Sequence, residues 1–290
     1  MTSLERVPAP LLVLGGIISV QFGGALAQTL IPTIGAGGSV VMRLLFATVL
    51  LLVVIRPRWR GHSRAAWTTV VLFGTALGLM NYTFYGSLAH LPIGVAVTIE
   101  FLGPLTLAAV LSRRLLDLLA VLAAGFGVLL ISQALRTPLA ELNWPGLGLA
   151  LAAGCFWAAY IVLSGRTGAE FAKLDGLALA MVVATLITLP FGIMSVPSWT
   201  GETVAKGLGI ALLSSVLPYS LELLALRRLS AQVFGILLSL EPAFAALAGL
   251  LVLGQVLEGE QLLGMSLVVL ASAMVLGFGS HADPAESAAT

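Results

Sequence analysis

Ten long apolar runs divide this chain, and their length constrains the fold more than any other feature of the sequence. An α-helix of about 20 residues crosses the hydrocarbon core of a bilayer, and each run has about this length. Inside a bilayer every backbone N–H and C=O group must be paired within the structure, so such runs predict helices. The runs lie at residues 10–28, 37–55, 66–87, 93–112, 115–133, 145–164, 175–195, 207–226, 230–253 and 260–278. We therefore predict an all-α, polytopic membrane protein with ten transmembrane helices.

Composition excludes a water-soluble protein. Hydrophobic residues make up 59% of the chain and charged residues 9%, whereas soluble domains contain about 25% charged residues. The formal net charge of +1 leaves no strongly basic face for nucleic acid. We therefore expect the lipid bilayer as a partner and expect no nucleic acid.

Arginine and lysine residues are divided unevenly between the two sides of the membrane that ten successive helices define. Eleven fall on one side, and only Arg136 and Lys206 fall on the other. Positively charged residues of short loops stay in the cytoplasm, so we predict that both termini are cytoplasmic. The eleven are Arg6, Arg56, Arg58, Arg60, Arg64, Arg113, Arg114, Arg166, Lys173, Arg227 and Arg228.

The two halves of the chain repeat two short motifs. A membrane carboxylate followed by proline occurs as IEFLGP at 99–104 and as SLEP at 239–242. A tyrosine-bearing segment precedes each, as MNYTFY at 80–85 and as LPYSLE at 217–222. The sequence therefore contains two weakly similar copies of one unit.

Each copy holds five predicted helices, at residues 10–133 and 145–278. Because five is an odd number, tandem copies of such a unit lie upside down relative to each other in the membrane. Inverted repeats are the architecture of secondary transporters, whose substrate site lies between the halves near the bilayer midplane. We therefore predict two inverted five-helix repeats and a small-molecule substrate.

Two opposite charges lie at the same predicted depth, Arg43 in the second helix and Glu100 in the fourth. Ionisable groups inside a membrane are costly, so each invites a functional explanation. Two interpretations stay open. Arg43 and Glu100 form a buried ion pair that fixes helix packing, or Arg43 holds a substrate carboxylate and Glu100 the ammonium group.

Glu241 lies midway along the ninth predicted helix, directly before Pro242. Proline lacks an N–H and breaks the hydrogen-bond ladder of a helix, and broken backbone at membrane depth is tolerated where it is packed in protein or lines a water-filled cavity. A carboxylate held away from bulk water takes up a proton more readily. We predict that Glu241, or as second choice Glu100, couples transport to protons; the alternative is that neighbouring hydroxyls hold Glu241 in a structural role.

Glu222 lies five residues before Arg227 and near the cytoplasmic end of the eighth predicted helix. Opposite charges so close in sequence often pair. We therefore predict a structural ion pair between Glu222 and either Arg227 or Arg228.

Aromatic and amide side chains interrupt the apolar runs at mid-membrane positions. Asn81 and Tyr85 are four residues apart and so lie on one helical face. Interfacial aromatic residues lie at the ends of membrane helices, whereas Trp157 and Tyr160 lie in the middle of the sixth run. The residues that we expect among the lining of a substrate cavity, beside Arg43 and Glu100, are Gln21, Asn81, Tyr82, Tyr85, Trp157, Tyr160 and Tyr219.

Enzymatic chemistry and a cofactor are not predicted. An intramembrane enzyme needs a nucleophile with its base or a metal with its ligands. The three histidines, His62, His90 and His281, fall outside the predicted helices. The chain also lacks the GxxxxGK[ST] pattern of a phosphate-binding loop, so it does not hydrolyse ATP by that motif.

Several segments together resemble a known family. They are VQFGGALAQ at 20–28, MNYTFYGSL at 80–88, IEFLGPLTLAAVLSRR at 99–114, CFWAAYIVLSG at 155–165, LPYSLELLALRRL at 217–229 and SLEPAFAALAGLLVLG at 239–254. With them the chain resembles the EamA-domain branch of the drug/metabolite transporter superfamily, and within it the threonine/homoserine exporters of the RhtA type. The resemblance covers residues 10–278. One departure is LGQ at 253–255, where the repeat often reads LGE.

The resemblance implies ten helices in two inverted repeats around a central cavity, in the inner (plasma) membrane of a bacterium. It implies export of small amino acids in exchange for protons. An uptake or exchange carrier for another small solute, aromatic or drug-like, is the alternative that we keep. A membrane enzyme or a sensor is disfavoured by the positions of the histidines and by the lack of a soluble domain.

Overall fold

The computed structural model describes residues 7–88, 90, 93–111, 115–132, 144–172, 174–241, 243–244, 247–248, 251 and 258–279, and over these residues it contains helices and no strands. Each helix falls on a predicted apolar run. In chain order the helices are α1 (Ala9–Gln28), α2 (Ile31–Ile55), α3 (Arg64–Leu88), α4 (Ile93–Leu111), α5 (Leu115–Ser132), α6 (Trp144–Glu170), α7 (Asp175–Gly192), α8 (Gly201–Leu226), α9 (Ala231–Leu238) and α10 (Gly259–Gly279). The all-α fold class is thus confirmed.

Large apolar side chains cover the outside of the helical bundle. Leu122 of α5 and Leu270 of α10 are 61% and 60% exposed, which suits a hydrocarbon environment and not water. Four stretches of the described chain are long and apolar enough to cross a bilayer: Pro32–Ile55, Trp144–Glu170, Asp175–Ser198 and Gly201–Leu226. The protein is therefore a polytopic membrane protein, while the count of ten spans and their grouping into two repeats stay predictions.

Glycines allow the helix backbones to approach closely at two crossings. A Cβ atom on Gly154 of α6 would overlap the backbone of Glu100 in α4, and one on Gly74 of α3 would overlap Ala180 of α7. Small residues at such positions let helices pack in membranes by close contact. These two glycines therefore serve close packing of the helices.

Helix α8 departs from regular geometry in its middle. Residues Leu212–Val216 form a π-helical turn, in which the N–H of Leu217 donates to the carbonyl of Leu212. Pro218 follows directly and cannot donate to the carbonyl four residues before it. The wider turn continues the hydrogen bonding past this gap, and it changes which side chains of α8 face the neighbouring helices.

Basic residues from distant parts of the chain meet at one end of the bundle. The backbone N–H of Arg58 donates to Asp175 at the start of α7 (3.3 Å), Arg227 donates to the carbonyl of Phe171 (2.8 Å), and Arg228 donates to the carbonyl of Val7 (2.8 Å). We call this end, marked by Arg58, Arg227 and Arg228, the cationic end. The predicted side assignments of Arg6, Arg113, Arg114, Lys173 and Arg136 concern residues outside the described ranges.

Candidate functional site

Arg43 of α2 is the centre of a buried hydrogen-bond network. Its side chain is 6% exposed. The Nε atom donates to the Ser215 hydroxyl (2.8 Å), Nη1 to the Tyr85 hydroxyl (3.3 Å), and Nη2 to both Asn81 Oδ1 (2.6 Å) and the Tyr219 hydroxyl (2.8 Å). Helices α2, α3 and α8 thus meet at one guanidinium group.

Two helices bring these partners together. Asn81 and Tyr85 are one turn apart on α3, whereas Ser215 lies within the π turn of α8 and Tyr219 just beyond it, and both contact the same guanidinium group. The Asn81 amide also donates to the carbonyl of Leu77 (2.8 Å) and to the Tyr219 hydroxyl (3.1 Å). These bonds fix the amide, so Oδ1 is held towards Arg43.

All four partners of Arg43 are electrically neutral. Of the described residues, none places a carboxylate in a salt bridge with Arg43, and the ion pair with Glu100 that the sequence left open is not formed. Glu100 is itself buried, at 8% exposure, and is near enough to Arg43 to feel its charge. A guanidinium held in this way is prepared to receive an anion such as a carboxylate.

Glu222 of α8 forms a second buried polar contact. It is 5% exposed and accepts a hydrogen bond from the hydroxyl of Tyr160 in α6, with an oxygen–oxygen distance of 2.5 Å. The predicted ion pair of Glu222 with Arg227 or Arg228 is wrong. Five residues correspond to about 140° around a helix, so Glu222 and Arg227 point in different directions.

The Arg43 network and the Glu222 contact meet through two tyrosines. The rings of Tyr160 and Tyr219 lie 5.6 Å apart between centroids. Tyr219 and Glu222 are three residues apart beyond the π turn, so they share one face of α8. The Glu222 contact therefore adjoins the Arg43 network along α8.

Two further carboxylates lie near this face. Glu241 is only partly buried, and it is near enough to Glu222 and Glu100 to interact electrostatically with both. Pro242, on which the predicted helix break depends, lies outside the described residues. The structure thus brings one arginine and three carboxylates into the same region.

The remaining predicted residues lie at the edge of this region or away from it. Trp157 is buried and packs edge-on against Phe101, with 5.5 Å between ring centroids. Gln21 is partly buried in α1 and makes no hydrogen bond within the described part of the chain. Tyr82 stacks on Phe191 of α7 at 4.1 Å, so it faces away from the network.

Ser215 is a member of the network that the sequence did not single out. Serine is common in membrane helices, so hydropathy gives no signal for it. Its position four residues before Tyr219 was the one available clue. No group of three histidine, cysteine or acidic residues in the described chain is placed to hold a metal ion.

Comparison with known proteins identifies the family. Residues 144–277 match the EamA-like transporter family. The threonine/homoserine exporter RhtA of Escherichia coli K12 is 37% identical over 276 residues, which cover 93% of this chain and 92% of that protein. The same values hold for the threonine/homoserine exporter RhtA of Salmonella typhimurium LT2. The resemblance seen in the sequence is therefore confirmed.

A solved structure supports the fold. A crystal structure of a protein that is 15% identical superposes with a TM-score of 0.73, over 95% of this chain and 100% of that chain. At this low identity the likeness concerns the fold alone. With 37% identity to curated exporters over nearly the whole length of both chains, this protein belongs to the EamA-like transporter family and is a multi-pass exporter of small metabolites in the bacterial inner membrane, not an enzyme.

Proposed function

We propose that this protein exports small amino acids such as threonine or homoserine, in exchange for protons. The observation that carries the proposal is the buried Arg43 guanidinium with neutral partners only. A carboxylate is the group that an arginine fork binds best, through two parallel hydrogen bonds. The names of the relatives, threonine/homoserine exporters, support the substrate class.

The Nη1 atom of Arg43 is the point at which a substrate carboxylate would bind. It carries two N–H groups, and its bond to Tyr85 is the longest of the four at 3.3 Å. Exchange of this bond for a charged carboxylate gains a stronger interaction. The hydroxyls of Tyr85 and Ser215 then remain beside the substrate and can hydrogen-bond a hydroxyl-bearing side chain.

Glu100 is our candidate for the substrate ammonium group, and Glu241, then Glu100, for the coupled proton. Glu241 and Glu100 are near enough to interact electrostatically, which supports this assignment. A proton on one carboxylate and an ammonium group on the other would then compete with each other. In alternating access, a group that binds a proton on one side and releases it on the other can drive substrate in the opposite direction.

The Glu241 assignment has a direct test. Glu241→Gln should abolish net transport that a pH gradient drives and keep threonine-for-threonine exchange, since a permanently neutral site still binds substrate and changes conformation. Glu100→Gln in the same assay separates the two candidates. Unchanged dependence on the pH gradient in both variants would refute proton coupling through either residue.

We further propose two inverted five-helix repeats, with both termini in the cytoplasm. The helix contacts support the repeat. In the proposed repeat α1 corresponds to α6, α2 to α7 and α3 to α8. The contact of α3 with α6 then has its counterpart in the contact of α8 with α1, and the contact of α3 with α7 in the contact of α8 with α2. The hydroxyls of Thr48 and Thr185 join α2 to its counterpart α7 at 2.8 Å. The cationic end supports the cytoplasmic assignment.

Cysteine labelling tests this topology. The single native cysteine, Cys155, is exposed and is first replaced by serine. New cysteines at Leu139 and Ala282, both outside the described residues, should then react from outside and from the cytoplasm respectively. Reaction of both from the same side would contradict the ten-helix arrangement.

Ligand binding tests the substrate class. L-Threonine and L-homoserine should raise the unfolding temperature of the purified protein, whereas L-threoninol, which lacks the carboxylate, should not. Counterflow in proteoliposomes then shows whether a bound compound is transported. Equal stabilisation by threonine and threoninol would contradict carboxylate recognition by Arg43.

An aromatic solute is the second candidate. Phe73, Tyr160 and Tyr219 form a continuous aromatic contact beside the Arg43 network, with ring centroids 5.5 Å and 5.6 Å apart. Such a surface favours stacking of an aromatic ring. L-Phenylalanine in the same binding assay distinguishes this candidate, since a stronger effect than that of threonine would favour it.

A further inference from the structure

Two buried hydroxyl groups of α6 have no hydrogen-bond partner within the described part of the chain. Ser164 and Thr167 are both fully buried, and neither Ser164 Oγ nor Thr167 Oγ1 meets a described partner in hydrogen-bond geometry, although Ser164 is near enough to the Tyr160 hydroxyl to interact with it electrostatically. A serine or threonine in a helix usually donates to the carbonyl of its own preceding turn. Elsewhere in this chain Thr185 and Thr188 do so, to Met181 and Ala184, both at 2.9 Å. Ser164 and Thr167 therefore lack the bond within their own helix that Thr185 and Thr188 make.

These hydroxyls continue the face of α6 that carries Tyr160. Tyr160, Ser164 and Thr167 follow each other at intervals of four and three residues, which places them along one side of the helix. The seven residues from Tyr160 to Thr167 span about 10 Å of helix. This line of hydroxyls runs from Glu222 towards the cationic end, where the carbonyl of Phe171 accepts a hydrogen bond from Arg227.

An unbonded hydroxyl in a dry interior is unfavourable, and buried water is the usual way to satisfy it. A polar, fully buried stretch next to a carboxylate is therefore a place for ordered water. Glu222 Oε2 accepts from Tyr160, and Oε1 has no hydrogen bond within the described chain. Oε1 is then the atom that exchanges a proton with such water.

Few charged groups face Glu222 from the surrounding helices. In α1 and α9 there is no titratable residue, and Gly16 of α1 faces the Glu222 side chain. The titratable or charged residues among the described ones of the other helices packed on this part of α8, and of the segment between α9 and α10, are Arg43 of α2, Cys155, Tyr160, Arg166 and Glu170 of α6, Asp175 of α7, Glu241 and Glu258. On α8 itself they are Glu202, Lys206 and Tyr219. Glu241 is the carboxylate that interacts with Glu222.

We propose that Glu222 is a proton relay, and that Tyr160, Ser164 and Thr167 line a water path from Glu222 to the cytoplasm. The inference rests on the proposed proton exchange and adds the route by which the proton leaves. Glu222 receives a proton from the site carboxylate Glu241 on Oε1. The Oε1–H bond then breaks, the proton passes to water beside Ser164, and the electron pair stays on the carboxylate, which the Tyr160 hydroxyl stabilises. The water passes the proton along Thr167 to the cytoplasm.

The first test is uptake of L-threonine into proteoliposomes with an acidic lumen. Glu222→Gln, and separately the double variant Ser164→Ala with Thr167→Val, should lower the initial rate at least about tenfold, because a positioned proton-transfer group contributes on the order of 10²–10⁴-fold to a step that it limits. Threonine-for-threonine exchange at equal pH should stay within about twofold, because binding and conformational change do not need the relay. Thr188→Val is the matched control, since it removes a buried hydroxyl that its own helix already satisfies.

A wild-type rate of pH-driven uptake in Glu222→Gln overturns the relay. If Glu222→Gln does not fold, a wild-type rate of pH-driven uptake in the double variant Ser164→Ala with Thr167→Val overturns the relay instead. Absence of amino-acid exchange in the wild-type protein would instead refute the proposed function.

The second test does not depend on substrate. Infrared difference spectra after a pH step should show a carboxyl band that disappears in Glu222→Gln and whose hydrogen–deuterium exchange is slower in the double hydroxyl variant. A band that is absent from the wild type, or exchange that is unchanged in the double variant, overturns the proposal whatever the substrate proves to be.

Discussion

Arg43 of α2 contacts the buried face of α8 that also carries Glu222, but the hydrogen-bonding capacity of the two charged groups is satisfied to different degrees. Every nitrogen of the Arg43 guanidinium is hydrogen-bonded, by four groups from two helices. Glu222 has one partner, Tyr160, and the hydroxyls that follow on α6 have none. The difference teaches that helix packing alone satisfies the charged group of one region, whereas it leaves polar atoms of the other region without a partner among the described residues.

The largest effect is expected from Arg43→Gln. Loss of charge-assisted hydrogen bonds to a carboxylate should weaken threonine binding by a factor of about 100 or more, while the protein still folds. Titration calorimetry in detergent measures this, with Glu222→Gln as the matched variant that should keep binding within about threefold. Equal loss in both variants would erase the distinction between the two regions. If instead Glu100→Gln destabilises the protein and Arg43→Gln restores stability, Arg43 and Glu100 form a structural pair.

Tyr219→Phe should weaken threonine binding about tenfold, because it removes one hydrogen bond that orients Arg43. Tyr82→Phe is the matched control, because it also removes one tyrosine hydroxyl. Tyr82 stacks on Phe191 away from the network, so its hydroxyl should not matter for binding. The same titration compares both variants, and a larger effect of Tyr82→Phe would move the binding site to the other face of α3.

Tyr160→Phe should lower the free energy of unfolding by about 1–3 kcal/mol, because it leaves a buried carboxylate without its hydroxyl donor. Threonine binding should change little. Addition of Glu222→Gln should recover part of the lost stability, which chemical denaturation in detergent can measure. A Tyr160→Phe protein of wild-type stability would mean that water already satisfies Glu222.

The smallest effect is expected outside both regions, at the hydroxyl pair of Thr48 and Thr185. A double-mutant cycle with valine at both positions should give a coupling of about 0.6 kcal/mol, the average for side-chain hydrogen bonds between membrane helices. Threonine binding should remain unchanged in all three variants. A binding defect would show that the contact between α2 and α7 belongs to the Arg43 region after all.

The sequence predicts the helices well because the bilayer makes each spanning segment apolar on nearly every side. For the same reason it reveals Arg43, Asn81, Tyr85 and Tyr219, since a polar side chain stands out in an apolar run. It does not reveal which way a side chain faces. Tyr82 and Asn81 are neighbours in sequence, and only the packing of α3 against α7 separates them.

The sequence also does not predict which side chains on different helices contact each other. Glu222 contacts Tyr160, which is 62 residues away, whereas local spacing pointed to Arg227. The hydroxyls of Ser164 and Thr167 gave no signal either, because a buried hydroxyl can equally bond within its own helix, as those of Thr185 and Thr188 do. Both findings depend on how α6 and α8 rotate about their axes, which hydropathy leaves undetermined.

The π turn of α8 has a consequence for how this protein can evolve. Such a turn holds one residue more than a regular α-helical turn, and each residue turns a helix by about 100°. Deletion of a single codon within Leu212–Val216 would therefore turn the wide turn into a regular α-helical turn and leave Tyr219 and Glu222 on the same side of α8. An insertion or deletion of one residue, which would rotate the rest of any regular helix by about 100°, can thus be tolerated at this turn without loss of the contacts that Tyr219 and Glu222 make.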